Sequence, residues 1–153
     1  MKRLFVVVVL LAGAFVPTVA QEKGGPDFNR IITEYYAAWS TLNPDNPAPA
    51  YAKDADLVFF DIDPVKYTSW QQYHDNFKNN VAPGFTSLTI TPNDDVKITR
   101  SGNLAIASLT FRLVAKAKDG SPLEFTGRHT IVFQKRGAKW LIIHEHVSKP
   151  LSS

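Results

Sequence analysis

No cysteine occurs anywhere in the 153 residues, which removes disulfides, thiol nucleophiles and thiolate metal ligands. Packing alone must hold the fold. Glycine is scarce, at eight residues, and none of these builds a phosphate-cradling loop or a nucleophile elbow around a serine. Beyond the first twenty residues no apolar run approaches the ~20 residues that a membrane-spanning helix needs. An excess of one charge is also missing. The formal charge of +3 falls to +1 once Lys2 and Arg3 are set aside, so no nucleic-acid-binding stripe is expected.

Those two residues open a distinctive N-terminus, MKRLFVVVVLLAGAFVPTVA. A basic start, an apolar run from Leu4 to Val16 and a small-residue end at Thr18, Val19 and Ala20 read as a secretory signal peptide over 1–20, cleaved before Gln21. The run is too short to anchor the chain, and no cysteine stands at the cut to carry a lipid. The expectation is an exported protein, periplasmic or secreted, with no membrane attachment after cleavage.

Residues 21–26 (QEKGGP) read as a flexible leader, and 27–150 as one domain with a single core. Phe28, Ile31, Ile32, Tyr35, Ala38, Trp39 and Leu42 recur every three or four residues behind Asp27, a helix cap. Asn43-Pro44 ends that helix. Three prolines between 44 and 49 predict a short, irregular second helix, and Asp56–Asp61 (DLVFFD) a strand closed by Asp63-Pro64. Ser69 with Gln72 forms a capping-box pattern for a third helix running through Phe77. Four β-rich runs follow, 86–99, 103–116, 123–135 and 139–148, separated by Ser101-Gly102, Asp119-Gly120 and Arg136-Gly137. Such separators predict an antiparallel meander. Helices first and a long meander afterwards make an α+β domain whose helices cover one face of the sheet.

This order, together with Gly127-Arg128-His129-Thr130, Gly137-Ala138-Lys139-Trp140 and His144-Glu145-His146-Val147-Ser148, resembles the SnoaL-like branch of the nuclear-transport-factor-two-like superfamily. The likeness spans essentially the whole mature chain and implies a cone-shaped, cystatin-like roll. The C-terminal strings are also similar to the association domain of calcium/calmodulin-dependent kinase. In the N-terminal half, Tyr35-Tyr36-Ala37-Ala38 resembles the ketosteroid isomerase region that holds the oxyanion-binding tyrosine, with Tyr35 in its place. Asp63-Pro64-Val65 resembles the string carrying that enzyme's general base. The resemblance places the isomerase's third group, a protonated aspartate, at His129, or at Thr130 if the alignment slips by one.

The closing segment WLIIHEHVSKP raises a question of register, because alternate residues of a strand face opposite ways. A three-residue loop at Lys135-Arg136-Gly137 puts His129, Ile131 and Phe133 on one face with Leu141, Ile143, Glu145 and Val147. A two-residue loop at Gly137-Ala138 exchanges the set. The first register gathers the apolar residues under the helices and is the expectation. It leaves Arg128, Trp140, His144 and His146 on the outer face, where homodimers of this superfamily often pack. The second would bring His129 to His144 and His146, a three-histidine zinc layout; no metal or other cofactor is expected.

The candidate catalytic or polar groups are therefore Tyr35, Asp63, His129 and Glu145, with Trp39, Tyr67, Trp70, Phe111 and Ile143 as candidate ligand contacts. The leading expectation is a conical cavity that binds a small, largely apolar molecule bearing a carbonyl or similar group. Two alternatives stand beside it. One is proton transfer or hydration next to a carbonyl, with Asp63 or Glu145 as base and Tyr35 with His129 as oxyanion donors. The other is an assembly module with a solid interior.

Overall fold

α1 spans Phe28–Trp39, and Asp27 caps it by accepting the Arg30 backbone N–H at 3.0 Å. The computed structural model describes residues 25–151; the expected signal peptide and most of the leader lie outside them. α1 buries Phe28, Ile32, Tyr35, Tyr36 and Trp39 along one stripe, as a 3.6-residue period requires. Pro47 and Pro49 limit the next element to a single tight turn, Ala48–Ala50. That turn delivers Tyr51 to the sheet, where the Ala52 N–H donates to the Ile142 carbonyl at 2.9 Å.

β1 is short, Val58–Phe60, and α2 follows at Trp70–Asn76. Ser69 caps α2 by accepting the Gln72 N–H at 3.2 Å, while the Gln72 side chain reaches back to the Thr68 N–H. Phe77–Val81 and Ala82–Gly84 continue from α2 as one wide and one tight turn. The remaining strands are β2 (Phe85–Pro92), β3 (Lys97–Ser101), β4 (Leu104–Ala117), β5 (Pro122–Arg136) and β6 (Lys139–Ser148).

The six-stranded sheet has the order β1-β6-β5-β4-β2, with β3 also paired to β4. Two expectations need correction. The run 86–99 is two strands, not one. Pro92 has no N–H to donate, and Asn93 and Asp95 bend the chain by bonding Thr110, so β2 pairs with the second half of β4 and β3 with the first half. The sheet is also mixed rather than a pure antiparallel meander, because β1 lies parallel to β6 through Val58↔His144 and Phe60↔His146.

The last hairpin holds a further correction. Its loop is the two-residue Gly137-Ala138, with Gly137 at φ 62°, and Arg136 faces Lys139. Left unbroken, that register would carry His129 toward His144 and His146. A β-bulge at Ile143 intervenes, since Phe133 faces Ile142 but Val132 faces His144, and one extra residue flips every side chain that follows. Glu145 and Val147 thereby join His129 and Ile131 on the helix-covered face, while Ile142 takes the buried place expected for Ile143. Trp140 moves inward as well, packing its ring 5.2 Å from that of Phe28.

The core lies between α1, α2 and the concave face of β4–β6. Phe28, Ile32, Phe59, Ile131, Phe133 and Ile142 are buried there, each worth about 1.5–3 kcal/mol of burial. An aromatic layer (Trp39, Tyr51, Tyr67, Trp70, Tyr73) joins the two helices, with Tyr67 and Tyr73 stacked at 4.5 Å and Tyr51 and Trp70 at 4.0 Å. This is the α+β roll read from the order of elements.

Candidate functional site

α1 and the Phe77–Val81 turn face the inner side of β2, β4 and β5 across a gap. The gap is a cavity of about 400 Å³. Trp39, Phe77, Leu88, Ile90, Phe111 and Phe125 give it an apolar body. Phe111 can lie across β5 only because residue 127 is glycine, since a Cβ there would overlap the Phe111 ring.

Polar groups meet the cavity where His129 on β5 faces α1. Tyr35, Tyr36, Asp61, Asp63, Tyr67 and His129 all line it. Behind them Glu145 is fully buried, and its carboxylate accepts the Tyr51 phenol at Oε1 and the Tyr35 phenol at Oε2, each at 2.8 Å. The two phenol oxygens stand 2.9 Å apart, and the Trp39 indole N–H donates to Tyr51 at 3.3 Å. Such saturation is what a carboxylate needs in an apolar core.

His129, only 3% exposed, bridges this network to the cavity. Its Nδ1 lies 2.8 Å from the Tyr36 hydroxyl. Its Nε2 stands 3.4 Å from Glu145 Oε2 and makes no hydrogen bond among the described residues.

Asp61 directly follows β1, two residues after the core-facing Phe59, and lines the cavity. Burial raises its pKa, and the nearby Glu145 charge adds to the rise. Burial also pushes the phenols of Tyr35, Tyr36, Tyr51 and Tyr73 up. Tyr67, which accepts from Asn76 at 2.7 Å, is raised to about 12 by burial and then by the charge of Asp61. The cavity therefore offers neutral phenols beside a carboxyl that holds its proton more tightly than usual.

Of the residues singled out from the sequence, Tyr35, Asp63, His129, Trp39, Tyr67 and Phe111 line the cavity. Three do not. Glu145 is sealed behind Tyr35 and His129, Trp70 stacks on Tyr51 with the Lys53 ammonium 3.8 Å above its ring, and Ile143 is the bulge residue. The outer-face set also changes: His144 and His146 flank the Phe60 ring, and Trp140 has left that face. With His129 on the opposite side of the sheet from His144 and His146, the three-histidine layout does not form; among the described residues no three His, Cys, Asp or Glu side chains group as metal ligands.

Two residues were missed. Asp61 had an available signal, the period-two step from Phe59. Tyr36 sits beside Tyr35 on α1, and both fall within one apolar helix stripe.

The sequence matches the model of the SnoaL-like domain over residues 29–152. Among solved structures, it is similar to a nuclear transport factor 2 (NTF2-like) superfamily protein from Salmonella enterica, with 22% identity, 81% of this chain and 92% of the other covered, and a TM-score of 0.70. A protein from Xanthomonas campestris, provisionally assigned as a calcium/calmodulin-dependent protein kinase II association domain, is 23% identical over 80% of this chain and 85% of its own, with a TM-score of 0.69. A hexachlorocyclohexane dehydrochlorinase shares the fold at 7% identity, 81% and 82% coverage and a TM-score of 0.70. No curated protein matches the sequence. The matched span covers most of the chain and shows the family: sharing the fold of these structures, the chain belongs to the SnoaL-like domain family.

Proposed function

We propose that this domain binds a small, largely apolar molecule, oriented by an oxygen-bearing group such as a carbonyl at the Tyr36–His129–Asp61 end of the cavity. The observation that carries this is the cavity itself. About 400 Å³ of space ringed by aromatic side chains, with several polar groups converging on it, has the make-up of a small-molecule site. An assembly module needs no such space, and a solid interior would have favoured that alternative. Native mass spectrometry of the purified protein, followed by titration with the bicyclic ketone 2-tetralone and a panel of ring-bearing ketones, tests the proposal. A co-purified small molecule or saturable binding supports it; an empty protein that binds none of the panel sinks it.

One observation favours an enzyme. Asp61 presents a partly buried carboxyl with a raised pKa on the same cavity as two phenols and an imidazole, and a base opposite hydrogen-bond donors is the equipment for proton transfer next to a carbonyl. The fold neighbour named as a dehydrochlorinase supports elimination chemistry as an option on this scaffold. Asp61 takes the role of base that the sequence offered to Asp63 or Glu145. Deuterium exchange at the α-carbons of 2-tetralone is the assay: exchange no faster than in buffer would remove the enzyme proposal and leave the binding one intact.

Two further features belong to the same proposal. The N-terminal twenty residues support export with cleavage before Gln21, to be checked by the intact mass of the mature protein. The outer sheet face supports a homodimer, because Phe60, Ile106 and Leu104 are 36%, 43% and 45% exposed there beside His144, His146 and Arg128.

A further inference from the structure

Besides the phenols, four ionisable side chains line the cavity: Asp61, Asp63, His129 and Lys149. Lys149 is the one amine among them, and nothing proposed above uses it. Its place follows from strand geometry. Val147 faces His129 and Ser148 faces Arg128 across β5 and β6, so the alternation that turns Val147 toward the cavity turns Ser148 away and Lys149 back. Val147 and Lys149 accordingly both belong to the cavity wall.

The Lys149 ammonium stands 5.5 Å from the centre of the Phe125 ring, another part of that wall. Among the described residues it has no salt bridge and no hydrogen bond, although Asp61 and Asp63 line the same cavity. A single ring contact at an exposed site holds an ammonium weakly. All three of its N–H donors therefore remain for a guest. Pointed away from the cavity the same charge would be equally well hydrated; over Phe125 it lies against an apolar wall, where an anion would be screened less than in open water.

We propose that Lys149 is an anion-binding residue of the cavity, and that the ligand is an apolar keto acid whose carboxylate meets Lys149 while its carbonyl lies at the His129 end. This rests on the small-molecule reading above and adds the ligand's charge to it. The spacing suits such a molecule. Along β5, the backbone position beside Lys149 lies two residues from His129 and Phe125 lies four, a separation of about 7 to 13 Å. The aspartates fix the direction of binding. Both of their charges act on Tyr67, and like charges repel, so the carboxylate end turns from Tyr67 toward Lys149. A neutral ligand would leave the amine unused, and a cation would meet it as a like charge.

The probes are three 2-tetralones substituted at the ring position farthest from the carbonyl: the carboxylate, its methyl ester and the aminomethyl cation. Each is titrated calorimetrically into the full protein at neutral pH. The carboxylate should bind at least about fivefold tighter than the ester and the cation more weakly than either, with the carboxylate's advantage shrinking as salt rises from about 0.01 to 1 M. Lys149→Gln should bring acid and ester to equal affinity, and Lys149→Glu should make the cation the tightest of the three. Lys139→Gln, at the opposite end of β6, should keep the wild-type order and so control for net charge. An acid that binds wild type no tighter than its ester, or an advantage that survives Lys149→Gln, overturns the assignment while leaving the binding proposal intact; failure of all three and of the neutral ketone panel to bind overturns both.

Discussion

Gly127 shapes the cavity by having no side chain, since the Phe111 ring lies where a Cβ would be. Gly127→Ala should push that ring toward Tyr36 and His129 and weaken 2-tetralone binding at least about tenfold, at a stability cost of about 1–3 kcal/mol. Adding Phe111→Ala should restore the space and the affinity; isothermal titration of the single and double variants checks both. Asp61 carries the second prediction. Its pKa is raised, so the acid limb of any α-exchange profile should lie above the ordinary carboxylate range of about 3.9, with activity rising as the carboxyl ionises. Asp61→Asn should lower exchange by about 10²-fold or more and remove the limb, whereas Asp63→Asn should keep it. At this scale Glu145 and His129 were legible, because alternation set them among apolar neighbours. Tyr36 was not, because the helix pattern that buries Tyr35 buries its neighbour too, and only hydrogen-bond partners separate their roles.

The Ile143 bulge does for β6 what no single side chain could. The turn signal Arg136-Gly137 marks where the hairpin folds back but does not count its loop residues, and periodicity cannot register a bulge that cancels a one-residue error. Deleting Ile143 should therefore close the bulge while leaving Val132 opposite His144 and Ile131 opposite Glu145, so that Glu145 keeps its place on the helix-covered face. A cooperative thermal transition by circular dichroism is expected to survive both this deletion and Ile143→Ala. A second element-level device fastens α2 to the proline loop, where the His74 side chain, 13% exposed, spans Asp45 at 2.8 Å and Asp75 at 2.9 Å. Those bonds raise the His74 pKa, Asp75 first and Asp45 next; His74 lowers the pKa of Asp45, and Gln71 and then His74 lower that of Asp75. A raised histidine pKa contributes stability that is fully present below about 6.5 and is lost as pH climbs through the folded value; the lowered aspartates contribute above about 3.9 and lose it as pH falls through theirs. The clasp should therefore hold best from about pH 4 to 6.5. Thermal melts of wild type minus His74→Gln across that range and up to about pH 9 check the sign.

For the whole molecule, the order of helices and strands was enough to read an α+β roll, because amphipathic periods and turn residues are local. Pairing partners are not local. The sequence predicted a strand at 56–61 but nothing in it pointed to β6 as its neighbour, and so the mixed sheet went unread. The outer face of that sheet carries the dimer prediction: Phe60→Asp should leave a folded monomer where the wild type runs as a dimer in size-exclusion chromatography with light scattering. A wild-type monomer at tens of micromolar would remove this face as the homodimer surface.

The parallel join of β1 to β6 and the clamp on Glu145 also set an order of events. Val58 meets His144, and Tyr35 and Tyr51 wait for a carboxylate at position 145. Both contacts tie the first half of the chain to β6, and contacts so distant in sequence form slowly because a long loop must close before they reward it. A polypeptide emerging from the ribosome can assemble α1 early, yet the buried Tyr35 and Tyr51 lack the Glu145 carboxylate until β6 is made. β6 is thus the keystone of α1 and β1.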